Sequence, residues 1–329
     1  MDRYQRVISL LEQAQNIVIT THLHPDADGV GSQVALGLSL LQQGKSVTCV
    51  NEQPLQPRYK YLDAKNIVIG SDEFIEQQHG AAIDLMIVVD TNSLARIGVQ
   101  MASLVQRSKN ILFVDHHPAP KQIVALHCID TTMAATGELV GSLIEQIGTT
   151  LDYDIALALY TAVIIDTSSF RYPTVTGATH RLIAQLLETG IAPSKAYNMI
   201  YGTKKISHLH LLGSILTLSD NNQDGTIAWI SLSEQLLSKF AVVNEDTHSF
   251  VNHLLVLDKI KIACMFRESG TFVKVSLRSS GTIDVGIMAE SMGGGGHNHS
   301  AATIVEGELE EVTTRTIAKL EIMLKGSEE

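Results

Sequence analysis

Residues 16–45 read NIVITTH, then LHPDAD, then GVGSQVALGLSLLQQGK, and the three parts have three different textures. NIVITTH is a short apolar run rich in Ile and Val, as expected of a strand buried on both faces. LHPDAD is a polar turn carrying two carboxylates, Asp26 and Asp28. The third part reads as a helix, with Gly44 at its carboxyl end as a cap. The pattern recurs downstream. SVTCV from Ser46, DLMIVVD from Asp84 and NILFVD from Asn110 are further Val- and Ile-rich strands. Helices are expected at about 134–148, 153–165 and 177–190. Continuous apolar strands separated by helices predict an α/β fold, a doubly wound and mainly parallel sheet with helices on both faces.

Beyond residue 190 the texture changes. Residues 191–222 are helical but more polar, with Lys204, Lys205, His208 and His210, and are expected to form a helical linker. After NNQDG come TIAWISL, KIACMFRE and TFVKVSLRS, three strands, the last two joined by a Ser269–Gly270 turn. A loop with four consecutive glycines follows, then a final helix from about Glu310. The reading is two lobes, residues 1–190 and a smaller α/β lobe with a mixed sheet at 223–329, joined by that linker.

Composition narrows the function. The 329 residues are 45% hydrophobic, enough for a substantial core. There are 24 Lys and Arg against 35 Asp and Glu, a net charge of −11. Residues 223–329 are also acidic, 9 cations against 15 anions. Long nucleic acid is gripped by basic tracks, so a long nucleic-acid partner is not expected. Cys49, Cys128 and Cys264 are few and far apart, which excludes a disulfide framework and suits a reducing cytoplasm. The longest apolar run, residues 155–165, is far short of a membrane span, and MDRYQRVISLLEQAQ is no signal peptide.

The chemistry gathers where apolar segments end. NIVITT runs into His22 and then Asp26 and Asp28; LMIVV runs into Asp90; ILFV runs into Asp115, His116 and His117; ALALYTAVII runs into Asp166. One Asp in such a place is an ordinary turn or cap residue. In an open parallel sheet, however, the carboxyl ends of the strands converge on one crevice. There His22, Asp26, Asp28, Asp90, His116 and Asp166 supply four carboxylates and two imidazoles. That donor set suits two Mn²⁺, with Mg²⁺ or Co²⁺ as alternatives, and four Asp charges balance two divalent ions. Two such ions activate water and stabilise phosphoryl oxygens. Asp90 is the candidate bridging carboxylate, and a bridging hydroxide would be the nucleophile. Asp115 is expected to orient a histidine, and His117 to face the substrate. Arg96, just beyond Asp90, is a candidate phosphate contact. His208 and His210 have no acidic or thiol neighbours and carry no such expectation.

The glycine run is the other feature. Gly293, Gly294, Gly295 and Gly296 can expose backbone N–H groups to an anion. With His297 directly after them and Arg278 and Ser279 upstream, they are expected to form a phosphate or nucleotide subsite.

These motifs resemble the DHH–DHHA1 phosphoesterases, named for the Asp-His-His found here at 115–117. The resemblance rests on THLHPDADGVGS, VVDTNSLARIG, VDHHPAP, IIDTSSFRYP and VSLRSSGTIDVGIMAESMGGGGHNHSAAT, in that order, and covers nearly the whole chain. It is strongest for the oligoribonuclease (nanoRNase) and pAp phosphatase type. The resemblance implies manganese-dependent hydrolysis of very short RNA and linear dinucleotides (pGpG, pApA) to 5′-mononucleotides, and of pAp to AMP. It implies the same six metal ligands, a nucleotide site at Arg278 and Gly293–His297, and compatibility with a homodimer. Hydrolysis of the cyclic dinucleotides c-di-AMP or c-di-GMP in signalling is the close alternative. A catalytically silent nucleotide-binding regulator is the alternative of another class. The family's loop continues with a lysine and ends in Ala-Ala-Gly. Here residues 298–303 read NHSAAT, so Asn298 and Thr303 depart from it and leave the substrate preference open.

Overall fold

β1 (Asn16–Thr20), β4 (Ile83–Val89) and their parallel neighbours form the frame on which the first half of the chain is wound. The computed structural model describes residues 3–77, 82–119, 125–202, 204–243 and 247–326. They divide into two compact units, Met1–Thr203 and Lys204–Glu329.

In the first unit the elements are α1 (Arg3–Gln13), β1, α2 (Ala27–Gln42), β2 (Ser46–Asn51), β3 (Val68–Gly70), α3 (Ser71–Gln77), β4, α4 (Val99–Leu104), β5 (Ser108–Asp115), β6 (Leu126–Ile129), α5 (Thr136–Gln146), α6 (Tyr153–Asp166), α7 (Gly177–Glu188) and α8 (Pro193–Tyr201). The sheet order is β3-β2-β1-β4-β5-β6, with every neighbouring pair parallel. The winding reverses between β1 and β4. This is the switch point beyond whose carboxyl ends an open α/β sheet forms its crevice.

Both faces of the sheet are covered. One carries α2, α5 and α6 in a large apolar core; the other packs Val18, Met86, Val88 and Phe113 against Phe74, Ile97, Met101 and Leu104. Helix α6 is buried at every position from Ile155 to Ile164, because a helix apolar all round can only be interior. It lies directly on α2. A Cβ on Gly31 would sit 2.5 Å from the Ala158 carbonyl oxygen, so only glycine permits that approach.

The second unit contains α9 (Ile206–Leu216), β7 (Asp220–Asn221), β8 (Ile227–Leu232), α10 (Glu234–Phe240), β9 (Ile262–Ser269), β10 (Phe272–Ser279), α11 (Val285–Glu290), β11 (Gly295–His297), β12 (Ser300–Glu306) and α12 (Leu309–Gly326). Its sheet order is β11-β12-β10-β9-β8-β7. β8 and β9 are parallel and the other neighbours antiparallel, so the sheet is mixed. One face packs on α11 and α12, the other on α9, α10 and a 3-10 turn at Phe250–Val256.

The sequence differs from the structure in three details. β3, β6, β7, β11 and β12 are additional, and all but the seven-residue β12 are four residues or fewer. The segment read as one linker is split, since Ala196 of α8 belongs to the core of the first unit and Leu211 and Ile215 of α9 to that of the second. Half of the glycine loop is a strand. No described helix is long and apolar enough to cross a membrane.

Candidate metal centre

Asp26 is the N-cap of α2. Its Oδ1 accepts from the N–H groups of Asp28 at 3.0 Å and Gly29 at 3.2 Å, and its other oxygen is left for the crevice. Asp28 follows in the first helical turn, only 1% exposed. Its Oδ2 accepts from Thr136 N at 2.7 Å, and its Oδ1 from Gly137 N at 2.8 Å and Ser32 Oγ at 3.1 Å. The start of α5 thus cradles this carboxylate, where N–H groups and the helix dipole favour negative charge. Both contacts need glycine nearby: a Cβ on Gly137 would press on Ala162 at 2.6 Å, and one on Gly29 would collide with Thr21 Oγ1 and crowd Asp90 Oδ2 at 3.2 Å.

Asp90 is the first residue past β4, buried, with φ +60°. A non-glycine residue seldom adopts that left-handed conformation; here it turns the chain off the strand with the carboxylate inside the crevice. Its Oδ1 accepts from Thr136 Oγ1 at 3.0 Å, and its Oδ2 lies 3.4 Å from His22 Nε2. His22 Nδ1 faces Leu23 O at 2.8 Å and His116 Nδ1 faces Met133 O at 3.2 Å, so each ring is held by one nitrogen and presents Nε2. His116 Nε2 stands 3.2 Å from Asp166 Oδ2 and 3.8 Å from Asp28 Oδ2. Asp115 is fully buried and binds Nδ1 of His117 at 2.7 Å through Oδ1; His117 Nδ1 is also 3.9 Å from Asp90 Oδ1.

Three groups of donor atoms result, each within 4.8 Å of one another: His22, Asp26 and Asp90; Asp28, His116 and Asp166; and Asp90, His116 and His117. All six residues read from the strand ends are therefore together, and Asp90 is common to two groups. The titrations express the crowding. Burial, then the charges of Asp90 and Asp166, push the Asp28 carboxyl well above its ordinary range. Burial opposes charging His22, but its hydrogen bond to Asp90 and that residue's charge overcome this and raise it to about 9. Burial opposes ionising Asp90 too, yet the histidines, His22 first, hold it below the carboxylate range. Hard oxygens and imidazole nitrogens facing one another, with more buried carboxylate than cationic charge to balance it, fit two divalent cations.

The remaining expected residues lie outside these three groups. Arg96 is exposed, and its carbonyl accepts from Leu23 N at 2.6 Å, tying the loop after β4 to the loop after β1. Arg278, Ser279 and the glycine run belong to the second unit. Arg278 Nη1 donates to Leu277 O at 2.9 Å; Ser279 Oγ donates to Ile283 O at 2.6 Å and lies 2.9 Å from His299 Nδ1. Two N–H groups of the glycine run are used within the unit. Gly293 N and Gly294 N bond Glu290 O and Ala289 O, while Gly295, Gly296 and His297 pair with Ala302, Ala301 and Ser300. Gly294 and Gly296 permit close packing, a Cβ on Gly296 lying 2.5 Å from Ser300 O, whereas Gly293 and Gly295 face open space. The His297 side chain lies outside the described residues. Ser32, Thr136 and Gly137, which hold the acidic ligands, were not read from the sequence; Thr136 and Gly137 do lie at a predicted helix start, the only signal available.

Residues 16–163 match the DHH family, N-terminal domain, and residues 231–322 match the DHHA1 domain. The bifunctional oligoribonuclease and PAP phosphatase NrnA of Thermus thermophilus is 27% identical over 292 residues, 88% of this chain and 84% of that protein. The protein of the same name from Bacillus subtilis is 25% identical over 98% of both chains. The crystal structure of an exopolyphosphatase-related protein from Bacteroides fragilis superposes with a TM-score of 0.89 at 28% identity, covering 98% of this chain and 97% of that one.

Proposed function

Pairing a DHH domain with a DHHA1 domain, the chain belongs to the DHH–DHHA1 family, and from that we propose that it is a two-metal phosphodiesterase of very short RNA. Its substrates would be linear dinucleotides such as pGpG and pApA, released as 5′-mononucleotides, and pAp, converted to AMP. The observation that carries this reading is the chain of donor groups joined at Asp90 and at His116, which brings both expected cation sites side by side. The two relatives named for oligoribonuclease and PAP phosphatase support the substrate class.

His22, Asp26 and Asp90 would hold one cation, and Asp28, His116 and Asp166 the other, with Asp90 shared. Mn²⁺ is the proposed ion, with Mg²⁺ or Co²⁺ as substitutes. Such a pair supplies an acidified water and neutralises phosphoryl oxygens. The chain does the rest. The α5 start and Thr136 fix Asp28 and Asp90 before substrate arrives, which avoids reorganisation during reaction. Asp115 acts through His117, anchoring Nδ1 so that Nε2 can contact a phosphate oxygen and pass a proton to the leaving oxygen. The domain limits 1–190, 191–222 and 223–329 are kept as a proposal, with nucleotide binding by the last of them.

The test is a turnover panel with Mn²⁺ and with chelator: pAp, pGpG, pApA, an RNA of about five nucleotides, one several times longer, and the cyclic dinucleotides. Mn²⁺-dependent turnover led by linear dinucleotides or pAp, with the long RNA spared, is expected. A lead for a cyclic dinucleotide would move the protein into signalling, and cation binding without turnover of any substrate would leave a silent regulator.

A further inference from the structure

The crevice is acidic and the proposed substrate is polyanionic, so a cation of the first unit near the crevice would favour the phosphates beside the metal ions. Three arginines stand in segments that follow the carboxyl ends of its elements: Arg58 after β2, Arg96 after β4 and Arg171 after α6. Arg171 uses Nε and Nη2 to hold Ser168, at 2.9 Å to O and 2.6 Å to Oγ. Arg96 is exposed. Arg58 is different. Its Nε is sealed from solvent and makes no hydrogen bond among the described residues. A buried donor with no acceptor is costly, and in a folded protein it usually means that its partner arrives from outside.

The setting of Arg58 gives that partner a direction. The residue lies in a 3-10 turn, Pro57–Leu62, on the crossover that leaves the carboxyl end of β2. β2 pairs with β1, so this turn stands at the same edge of the sheet as His22 and Asp26. Tyr59 and Leu62 anchor the turn in the core with α2, whose first turn carries Asp28. The Arg58 guanidinium lies over the Tyr59 ring, 4.7 Å from its centre, and the residue as a whole is half-buried. Burial first raises the Tyr59 phenol, opposed by the charge of Arg58 and a side-chain hydrogen bond with it, and reinforced by the charge of Asp26; Arg58 Nε itself stays without an acceptor among the described residues. No ion pair joins Arg58 to a carboxylate among the described residues.

We propose that Arg58 is a binding residue for a second phosphate of the substrate, the one that is not hydrolysed. The scissile phosphate belongs at the metal ligands. Arg58 packs on Tyr59, which feels the charge of Asp26, so a neighbouring phosphate on the same nucleotide is the partner this turn would meet. The ligand class is therefore a dinucleotide or nucleotide bearing an extra terminal phosphate, bound by the planar fork of an arginine. This deepens the phosphodiesterase reading and rests on it.

The experiment compares pGpG with GpG, which lacks only the terminal phosphate, in the Mn²⁺-loaded wild type, Arg58→Ala and Arg58→Lys. Wild type should prefer pGpG, and Arg58→Ala should lose roughly 10- to 100-fold more kcat/KM on pGpG than on GpG, through KM. Arg58→Lys keeps the charge without the fixed Nε–H and should recover only part of the loss. Equal losses on both substrates, or no loss, would overturn the proposal. Retained thermal stabilisation by Mn²⁺ certifies that a variant is folded. If no protein turns over either compound, the phosphodiesterase reading fails. Equilibrium binding then judges Arg58 separately: tighter binding of pGpG than of GpG that vanishes in Arg58→Ala sustains it, and equal binding of the two by wild type refutes it.

Discussion

At the scale of single residues the centre is held by geometry that a substitution can probe. Asp90 is the one carboxylate that belongs to two donor groups, so Asp90→Ala should cut cation stoichiometry and turnover together. Activity above about a hundredth of wild type would remove it from the shared position, since loss of a metal-bridging ligand should cost at least that much. Thr136 touches Asp90 through its hydroxyl and Asp28 through its backbone. Thr136→Val keeps the shape and the N–H but deletes one donor. Supporting contacts of this kind are worth about 10- to 100-fold in metal affinity, so Mn²⁺ titration of the variant should show a weakening of that order and an unchanged fold. These two residues also mark what could be read from the chain. Asp90 stands where an apolar strand stops, and that position is visible in one dimension. Thr136 sits more than a hundred residues from Asp28, and the bond between them exists only once α5 has been laid beside α2. Arg58 was invisible for the same reason: nothing in QPRYKY tells an arginine free in solvent from one stacked on a tyrosine with its Nε covered.

At the scale of elements, long apolar segments were legible and short or glycine-rich ones were not. β1, β2, β4, β5, β8, β9 and β10 are five to eight residues long, and burial on one or both faces fills them with Ile, Val and Leu. β3 and β6 close the edges of the first sheet with three and four residues, too few to carry a period. β11 is Gly-Gly-His, which no propensity marks as a strand; pairing with β12 makes it one. The buried α2–α6 contact was hidden as well, since glycines in a helix usually weaken it. Gly31→Val should drive its side chain into the Ala158 carbonyl and cost about 1–3 kcal/mol or more by overpacking. Thermal denaturation reads this as a lowered Tm; an unchanged Tm would mean that the helices are not in contact there. The opposite edge of the sheet offers a pH test. The Asp84 carboxyl, held by Lys109 first and then by the N–H groups of Asn16 and Gln15, falls to about 2. A folded-state pKa below the unfolded value of about 3.9 gives stability that is present above pH 4 and lost as pH falls toward 2. The Tm gap between wild type and Asp84→Asn should therefore be open near neutrality and close through that window. A gap that widens on acidification would reverse the sign.

At the scale of the whole molecule, charge and length selection belong together. The chain carries −11, and two bound divalent cations would bring it to about −7, so it stays acidic in use. A protein of that charge has little to offer an extended polyphosphate backbone. Each additional nucleotide outside the centre adds a negative charge facing a negative surface. On the proposed function a dinucleotide would need only local cations at its own phosphates, two metal ions and a few arginines. The salt dependence of binding counts such contacts, falling by about 0.7 per neutralised phosphate for single strands on a double logarithmic plot. For pGpG its two phosphates imply a slope of no more than roughly −1.4, and an RNA several times longer should show one no steeper. Measuring KM for both between about 50 and 200 mM salt at constant Mn²⁺ decides the matter. A long RNA that binds more tightly at low salt, with a slope growing in proportion to its length, would require a basic track along the molecule. The 24 cations and 35 anions of this chain would then have to be segregated on its surface, and selection for short substrates would need another cause.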